Sequence, residues 1–390
     1  MLEKLINLVY GAIAMVWVIL FIWWVDNLSN YCRIVSLQIN QFALVIISVT
    51  ILYVVAIFIH EAGHWFTGVR LGFIGTKFVV LWLNIERHGS NWKIKWAKRP
   101  AKVGGMVVLF PVNGHQLRRR KALIVAAGPL ASLGAGGLAI AISYALANGN
   151  TFSLEPGRFL AVAELQLFGL VSTFLGCFNL LPNKIKNGMR NDGLLLWYLY
   201  RRDPKFDREL TLSALVGSSY AGLLPHQWDG DLLNRSLAFT DGTAGDCQAA
   251  LFAYAHHLGA GRKAQARAYL EACLEKIDLL PASHQQEIYC EAAYFEACHG
   301  GNPAQAQHRL SQAQQLQPFE RNEGHFHRAA VAWAEGQYED ARTYLQLAQA
   351  EPLGLDANDA GAHLDALDRL ADLQNRLALA DEPFRNQYIK

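Results

Sequence analysis

The chain has 390 residues, which is long enough for two domains. Its formal net charge of +2 is too small to indicate a nucleic-acid-binding protein, so we expect no nucleic-acid partner. Hydrophobic residues make up 52% of the chain, but they crowd its first half, whereas the second half is rich in Ala, Gln, His and charged residues. The six cysteines form no Cys-x-x-Cys pair and are expected to be reduced packing residues.

Four apolar stretches in the first half approach the roughly 20 residues that a helix needs to cross a lipid bilayer. They cover about residues 6–25, 43–67, 122–147 and 163–182. The first stretch is too long for a signal peptide and lacks a cleavage site, so we expect it to remain as a membrane anchor. Four crossings place both termini on the same side of the membrane.

The connection between the second and third stretches is strongly basic. Residues 68–121 contain twelve Lys and Arg residues, with Glu86 as the lone acid. The connections 26–42 and 148–162 contain one cationic residue each, Arg33 and Arg158. Because cytoplasmic loops carry an excess of Lys and Arg, we predict that the basic loop and both termini are cytoplasmic. The expected protein is a multi-pass integral protein of a bacterial inner membrane, surrounded by the lipid bilayer.

Alternating residues in the basic loop predict a small β insertion. The stretches Thr76–Glu86 and Asn91–Lys95 alternate on either side of the turn residues 88–90, which predicts a β-hairpin. The apolar run Val103–Phe110 follows and is too short to span a bilayer. This run predicts a re-entrant or interfacial segment, and a buried strand is the alternative.

The chain changes character after the first 202 residues, which we assign to the membrane domain. Residues 203–246 have no regular pattern and are predicted to be a linker. In residues 247–390 the pattern Gly-x4-Ala recurs at 261–266, 301–306 and 336–341, with prolines at 281, 318 and 352 closing the units. This spacing is similar to that of tetratricopeptide repeats, and an unrelated helical bundle is the alternative. We expect this array to bind a protein partner.

These patterns together predict a mainly α fold. The first part is a polytopic transmembrane helical core of about four spans with a short β-hairpin or re-entrant insertion. A soluble all-α helical-repeat domain follows it. The function is indicated by histidine and glutamate residues within one predicted membrane helix and by their spacing.

The second apolar stretch contains the sequence His60-Glu61-Ala62-Gly63-His64. Positions i and i+4 share one face of a helix, so both imidazoles can reach one metal ion while Glu61 points to the adjoining position. Zinc lowers the pKa of a bound water to about 7, and a neighbouring carboxylate can take its proton. The motif is short enough to arise by chance, but ionisable residues in a membrane helix are costly and usually functional.

A catalytic zinc usually has three protein ligands, so the third must come from another helix. Asp192 follows the fourth apolar stretch, which ends at Pro182. Both His60 and Pro182 lie towards the cytoplasmic ends of their stretches, and His60 is roughly 10 Å inside the boundary at 1.5 Å per residue. Because the depths match, we predict Asp192 as the third ligand.

This part of the chain resembles the site-2 protease family of intramembrane zinc metalloproteases. The resemblance covers roughly residues 43–200 and includes His60–His64, Gly104-Gly105, Ala127–Ser132, Asn179–Pro182 and Asp192-Gly193. It implies that His60, His64 and Asp192 bind one Zn²⁺ and that Glu61 acts as a base. It also implies that Asn179 orients the substrate or stabilises the oxyanion, and that Gly104 and Gly105 guide an unwound substrate as an added strand.

Ser132 departs from the family's pattern, because an asparagine is common at this position. We expect Ser132 to act in helix packing, as part of an interface of small residues. The spacing between Pro182 and Asp192 is also longer than in compact members of the family.

The sequence therefore predicts an intramembrane zinc metalloprotease that cleaves membrane-spanning proteins. The substrate is expected to be a single-span protein, whose helix must unwind before its peptide bonds can be attacked. Two alternatives remain. One is a catalytically silent, membrane-anchored scaffold that acts through its helical repeats, and the other is a transporter that uses the same residues as a zinc relay.

Overall fold

The structure is a computed structural model that describes residues 2–34, 41–98, 104–147, 154–184, 189–316, 319, 324–350 and 358–387. The chain is mainly helical, with one small sheet, as predicted. The chain divides into two compact units, and the main boundary in the sequence falls between Phe206 and Asp207; the short segments His88–Ser90 and Pro111–His115 group with the second unit. We call the parts before and after this boundary the membrane unit and the repeat unit.

The membrane unit is built on four long apolar helices. They are α1 (Leu2–Ile34), α2 (Gln41–Arg70), α3 (Leu117–Ala147) and α4 (Pro156–Leu180). Within the described residues, these are the helices that are long and apolar enough to cross a membrane. The predicted number and order of the candidate spans are therefore confirmed.

Small residues bring α2, α3 and α4 close together. A β-carbon at Gly63 of α2 would lie 2.6 Å from the carbonyl oxygen of Ala127 in α3, so only a glycine allows this approach. On the other side of α3, the Ser172 hydroxyl in α4 donates to the carbonyl oxygen of Ser132 at 2.8 Å. The helix face that carries the histidines of α2 is thus pressed against α3.

The basic loop forms a four-stranded sheet in the order β3-β2-β1-β4. The strands are β1 (Phe73–Val80), β2 (Leu83–His88), β3 (Asn91–Trp96) and β4 (Gly105–Pro111). The predicted turn around Gly89 is present, with φ of 61° at that glycine. The single predicted strand Thr76–Glu86 is wrong, because the chain turns at Leu81 with φ of 49° and pairs Val80 with Leu83.

The apolar run that was predicted to be re-entrant or interfacial forms the edge strand β4 beside β1. Its backbone is thus that of the alternative, a strand. Gly104 precedes the strand with φ of +78°, a conformation that glycine adopts without strain. The Gly104 carbonyl accepts a hydrogen bond from the Leu81 amide at 2.6 Å, which ties the entry of β4 to the β1–β2 turn.

A short helix, α5 (Asp192–Arg201), completes the membrane unit, and α6 (Pro204–Tyr220) leads into the repeat unit. The predicted linker at 203–246 is wrong, because α6 and α7 (Gly230–Leu237) occupy most of it. A buried ion pair holds this segment to the next helix: Arg208 is 2% exposed and pairs with Asp246, whose residue is 8% exposed. The sequence pattern gives no sign of this packing, because the ion pair forms only through tertiary contact.

Three helical hairpins form the main body of the repeat unit. They consist of α8 (Ala244–Gly259) and α9 (Lys263–Leu274), α10 (Ala282–Phe295) and α11 (Pro303–Leu316), and α12 (His325–Ala334) and α13 (Tyr338–Ala350). The glycines of the Gly-x4-Ala pattern lie in the turns with φ of 68–79°, and its alanines are fully buried. The three-hairpin array is thus found where it was predicted. Pro318 and Pro352 lie outside the described residues.

The last helix, α14 (Ala360–Gln387), is the longest of the repeat unit. One prediction about cysteines is wrong: Cys247 and Cys273 form a disulfide between α8 and α9. Their α-carbons are 4.6 Å apart, a distance that a separation of 26 residues in the sequence does not reveal. Cys290 and Cys298 are reduced and buried, as expected.

The orientation of the four spans stays a prediction that reporter fusions can check. We expect reporters fused after Lys121 and at the C-terminus to be cytoplasmic, because the twelve basic residues of 68–121 resist translocation. A fusion in the 148–153 connection is the control and should be external. A C-terminal reporter that reads external would contradict the predicted orientation.

Candidate metal centre

The helix α2 presents His60 and His64 on one face, four residues apart, near its C-terminal end. Both side chains and the intervening Glu61 are buried. The imidazole rings lie 4.9 Å apart between centroids and are nearly perpendicular. The histidines of the motif therefore converge inside the helix bundle and do not face the lipid.

Asp192 reaches the same place because the chain folds back after α4 and starts α5. Asn191 caps α5 by accepting a hydrogen bond from the Leu194 amide at 3.1 Å, and its own amide donates to the Leu181 carbonyl at 2.6 Å. Gly193 packs directly on the backbone of Leu180, with no room for a β-carbon. These contacts place the first residue of α5, Asp192, under the end of α4.

The three predicted ligands are brought together. One carboxylate oxygen of Asp192, Oδ2, lies 3.1 Å from His60 Nε2 and 3.4 Å from His64 Nε2. The two Nε2 atoms are 3.3 Å apart. Among the described residues, this is the cluster of His, Cys, Asp or Glu whose ligand atoms all lie within 4.8 Å of one another.

The outer nitrogens of both rings have partners that leave the Nε2 atoms available. His64 Nδ1 donates to the carbonyl oxygen of Ile124 at 2.7 Å, so Nδ1 carries a proton, and in the neutral ring the lone pair is on Nε2. His60 Nδ1 lies 3.0 Å from the Ser132 hydroxyl. Two imidazoles and a carboxylate held in this way fit a zinc ion, which prefers such nitrogen and oxygen ligands with a supporting outer shell.

Sequence analysis did not identify two residues that support the metal-binding histidines. Ser132 was assigned to helix packing, but its hydroxyl also orients the His60 ring. Gly128 has no room for a β-carbon, because the His64 ring packs against it. Both belong to the Gly-Pro-Leu-Ala-Ser sequence of α3, so the signal was present in a motif that we interpreted only as an interface.

A cavity of about 210 Å³ opens beside the three ligands. Glu61 and Asn179 line it, as does Gly105 at the start of β4. The Asn179 amide donates to the carbonyl oxygen of Leu175, one turn earlier in α4, at 3.1 Å. Gly104 does not line the cavity and instead supplies the turn into β4, so the two glycines contribute differently.

The backbone of Gly105 packs directly against the Glu61 side chain. A β-carbon at this position would lie 2.5 Å from Oε1 of Glu61 and 2.6 Å from its Cγ. The strand therefore approaches the carboxylate as closely as van der Waals contact allows. Lys121, which sequence analysis used only for topology, also lines the cavity, and it shares a face of α3 with Ile124 and Gly128 at spacings of three and seven residues.

Comparison of the chain with family models, with curated proteins and with solved structures finds no match. The functional argument therefore depends on the geometry of the site.

Proposed function

We propose that this chain is an intramembrane zinc metalloprotease. The observation that supports it most is the convergence of His60, His64 and Asp192 inside a bundle of membrane-length helices, with the Glu61 carboxylate on the wall of the adjoining cavity. Ionisable groups at membrane depth are costly and mark functional sites. The resemblance of these motifs to the site-2 protease family agrees with this proposal.

His60, His64 and Asp192 would hold the zinc ion through Nε2, Nε2 and Oδ2. Zinc bound there would supply a Lewis acid that lowers the pKa of water to about 7. The remaining chemistry belongs to the chain. Ser132 and Ile124 keep the two rings oriented, which is the role that outer hydrogen bonds have in metal sites.

Glu61 is the proton acceptor in this proposal. It is adjacent to a ligand in the sequence, yet it belongs to the cavity wall and not to the cluster of ligand atoms. Its carboxylate takes the proton of the attacking water and passes it to the nitrogen of the departing amine, as a general base and then a general acid. Asn179 also lines the cavity, and in this proposal its side chain holds a substrate carbonyl.

The edge strand β4 gives a substrate a place to bind. Within the described residues β4 is an edge strand of the sheet, and an unwound segment can pair with such a strand as an added strand. Gly105 begins this strand beside Glu61, so a peptide bond held there would lie close to the base. A single-span membrane protein with a helix that unwinds easily is the substrate class that fits.

The alternatives are weaker on the same observations. A silent scaffold does not need a glycine fitted to a buried carboxylate or two imidazoles oriented through their outer nitrogens. A zinc transporter needs a series of sites across the bilayer, whereas one such cluster is found in the described residues.

Zinc analysis and cleavage together test this function. We expect about one zinc per purified chain, and we expect His64→Ala and Asp192→Ala each to lower the occupancy and to abolish cleavage of tagged single-span proteins expressed with the enzyme. Chelation should remove the activity, and added zinc should restore it.

His115→Ala is the matched control for the histidine change, because His115 is exposed and lies outside the candidate site. It should keep both zinc and cleavage. Full zinc occupancy in Asp192→Ala would remove Asp192 from the ligand set, and a zinc-loaded chain that cleaves none of a broad panel would contradict the protease proposal.

A further inference from the structure

The repeat unit contains a surface that is already filled by another part of the chain. The helix α10 carries Glu291 and Tyr294 three residues apart on one face, and the π-helical turn Glu296–Gly300 that follows it carries Cys298. Trp333 of α12 lies beside this face, and the long helix α14 covers both. We call this surface, made of Glu291, Tyr294, Cys298 and Trp333, the repeat groove.

Three leucines of α14 supply the apolar contact with the groove. Leu370, Leu373 and Leu377 are 0–6% exposed and pack in one cluster with residues of α10, α12 and α13. They recur at spacings of three and four residues, so they form a single stripe on α14. This is the way in which an amphipathic helix binds in a groove.

Two arginines flank the leucine stripe and make matching contacts. Arg369 Nη1 donates to both carboxylate oxygens of Glu291, at 3.0 and 2.9 Å, and its guanidinium lies 5.1 Å from the Tyr294 ring. Arg376 Nη1 donates to the Cys298 carbonyl at 3.0 Å and lies 5.2 Å from the Trp333 ring. Each arginine therefore binds one acceptor and one aromatic face, a combination for which the planar guanidinium is better suited than the ammonium of lysine.

The sequence of α14 shows that these contacts are repeated. Asp365-x3-Arg369-Leu370 is followed seven residues later by Asp372-x3-Arg376-Leu377. In both copies the aspartate receives a hydrogen bond from the arginine Nε at 2.8 Å, which fixes the direction of the guanidinium. The repeat groove therefore binds the motif Asp-x3-Arg-Leu, which recurs after two helical turns.

The groove has the complementary charge. Burial would raise the pKa of the Glu291 carboxyl, but the charge of Arg369 outweighs burial, so the pKa lies below its ordinary value. The Tyr254 hydroxyl of α8 also donates to Glu291, at 3.1 Å. The carbonyl of Cys298 lies in a π-helical turn, Glu296–Gly300, a distortion that is frequent at functional sites.

We infer that the repeat groove is a binding site for a helix with arginine-leucine pairs seven residues apart, and that α14 is its resident occupant. The external partner that fits is the cytoplasmic flank of a membrane-spanning substrate, an identification that depends on the proposed function. Such flanks are rich in Arg and Lys. The partner displaces α14 by presenting the same chemistry.

The partner must compete with α14 for the repeat groove, and this competition favours a partner that is a membrane protein. A resident helix attached to the array acts at an effective concentration on the order of millimolar, so a dilute competitor in solution is at a disadvantage. A substrate anchored in the same bilayer is held near the array and overcomes it. A free peptide should therefore bind well only when the hold of α14 is weakened.

The test uses the full-length protein and a fluorescent peptide of residues 360–380, with anisotropy as the readout. The unaltered chain should bind the peptide weakly. The double variant Arg369→Ala and Arg376→Ala keeps the groove but weakens its occupant, and we expect it to bind the peptide at least about tenfold more tightly. A peptide with alanine at both arginine positions should lose that gain.

Arg342→Ala is the matched control, because Arg342 pairs with Glu339 within α13. It should bind the peptide as weakly as the unaltered chain. If the double alanine variant fails to fold, Arg369→Lys and Arg376→Lys keep the charges while losing the planar fork, and should still bind several-fold more tightly.

Equal binding of the parent and arginine-free peptides, or no binding by a folded variant, would overturn the inference. Because this assay requires no cleavage, its result is separate from that of the protease test. Flank peptides from cleaved substrates should compete with the labelled peptide, and failure of these alone would overturn the assignment of the partner.

Discussion

Glu61→Gln should keep its zinc and its fold yet lose cleavage by about 10²–10⁴-fold, the usual contribution of a general base. Glutamine has the same size and can still form hydrogen bonds, but it cannot accept the proton of the attacking water. The three ligands His60, His64 and Asp192 are not altered, so zinc content should be unchanged. Uncut substrate should accumulate in the membrane fraction.

Glu164→Gln is a matched control, because Glu164 is a second carboxylate within a membrane-length helix and lies outside the candidate site. It accepts a hydrogen bond from Ser48 at 2.6 Å, which a glutamine oxygen can also accept. This variant should cleave normally. Unchanged cleavage in a zinc-loaded Glu61→Gln protein would exclude Glu61 as the base, and a scaffold would be indifferent to either change.

Gly105→Ala should lower cleavage by about 10²-fold while leaving zinc in place, since a misplacement of about 1 Å in a catalytic group has effects of this size. The added methyl group would occupy the space of the Glu61 carboxylate. A glutamate side chain can rotate away, so we expect little loss of stability. Zinc content and thermal unfolding should therefore match those of the unaltered protein.

Gly134→Ala in α3 provides the comparison, because a β-carbon there meets nothing within 4 Å. It should change neither zinc nor cleavage. If Gly105→Ala cleaves as well as Gly134→Ala, the close approach of β4 to Glu61 has no catalytic consequence. Loss of zinc in Gly105→Ala would instead indicate that the strand supports the ligands.

The parts of the candidate metal site that depend on local spacing in the sequence could be predicted. Positions 60 and 64 share a face in any helix, so the histidine pair follows from the sequence. Asp192 is 128 residues from His64, and its position was predicted from matching depths in the membrane and from a family resemblance. The structure places it beside both histidines.

The details that sequence analysis missed depend on an unusual local turn and on tertiary contacts. Leu81 turns the chain with a positive φ that leucine rarely adopts, so the alternating pattern gave no sign of a break between β1 and β2. Ser132 orients His60 only because α3 packs against α2. The Cys247–Cys273 disulfide joins α8 to α9, and the hairpin that places the two residues together is not visible in their spacing.

The buried pair of Arg208 and Asp246 determines where the chain can be divided for expression. A fragment that begins with α8, at Ala244, would keep Asp246 without its buried partner, a loss that costs about 3–5 kcal/mol. Whole domains are stable by only about 5–15 kcal/mol, so such a fragment would be prone to misfolding and degradation. Lys276 also pairs with Asp246, but its side chain is 38% exposed and cannot replace Arg208. A recombinant repeat unit should therefore include the whole of α6, which carries Arg208.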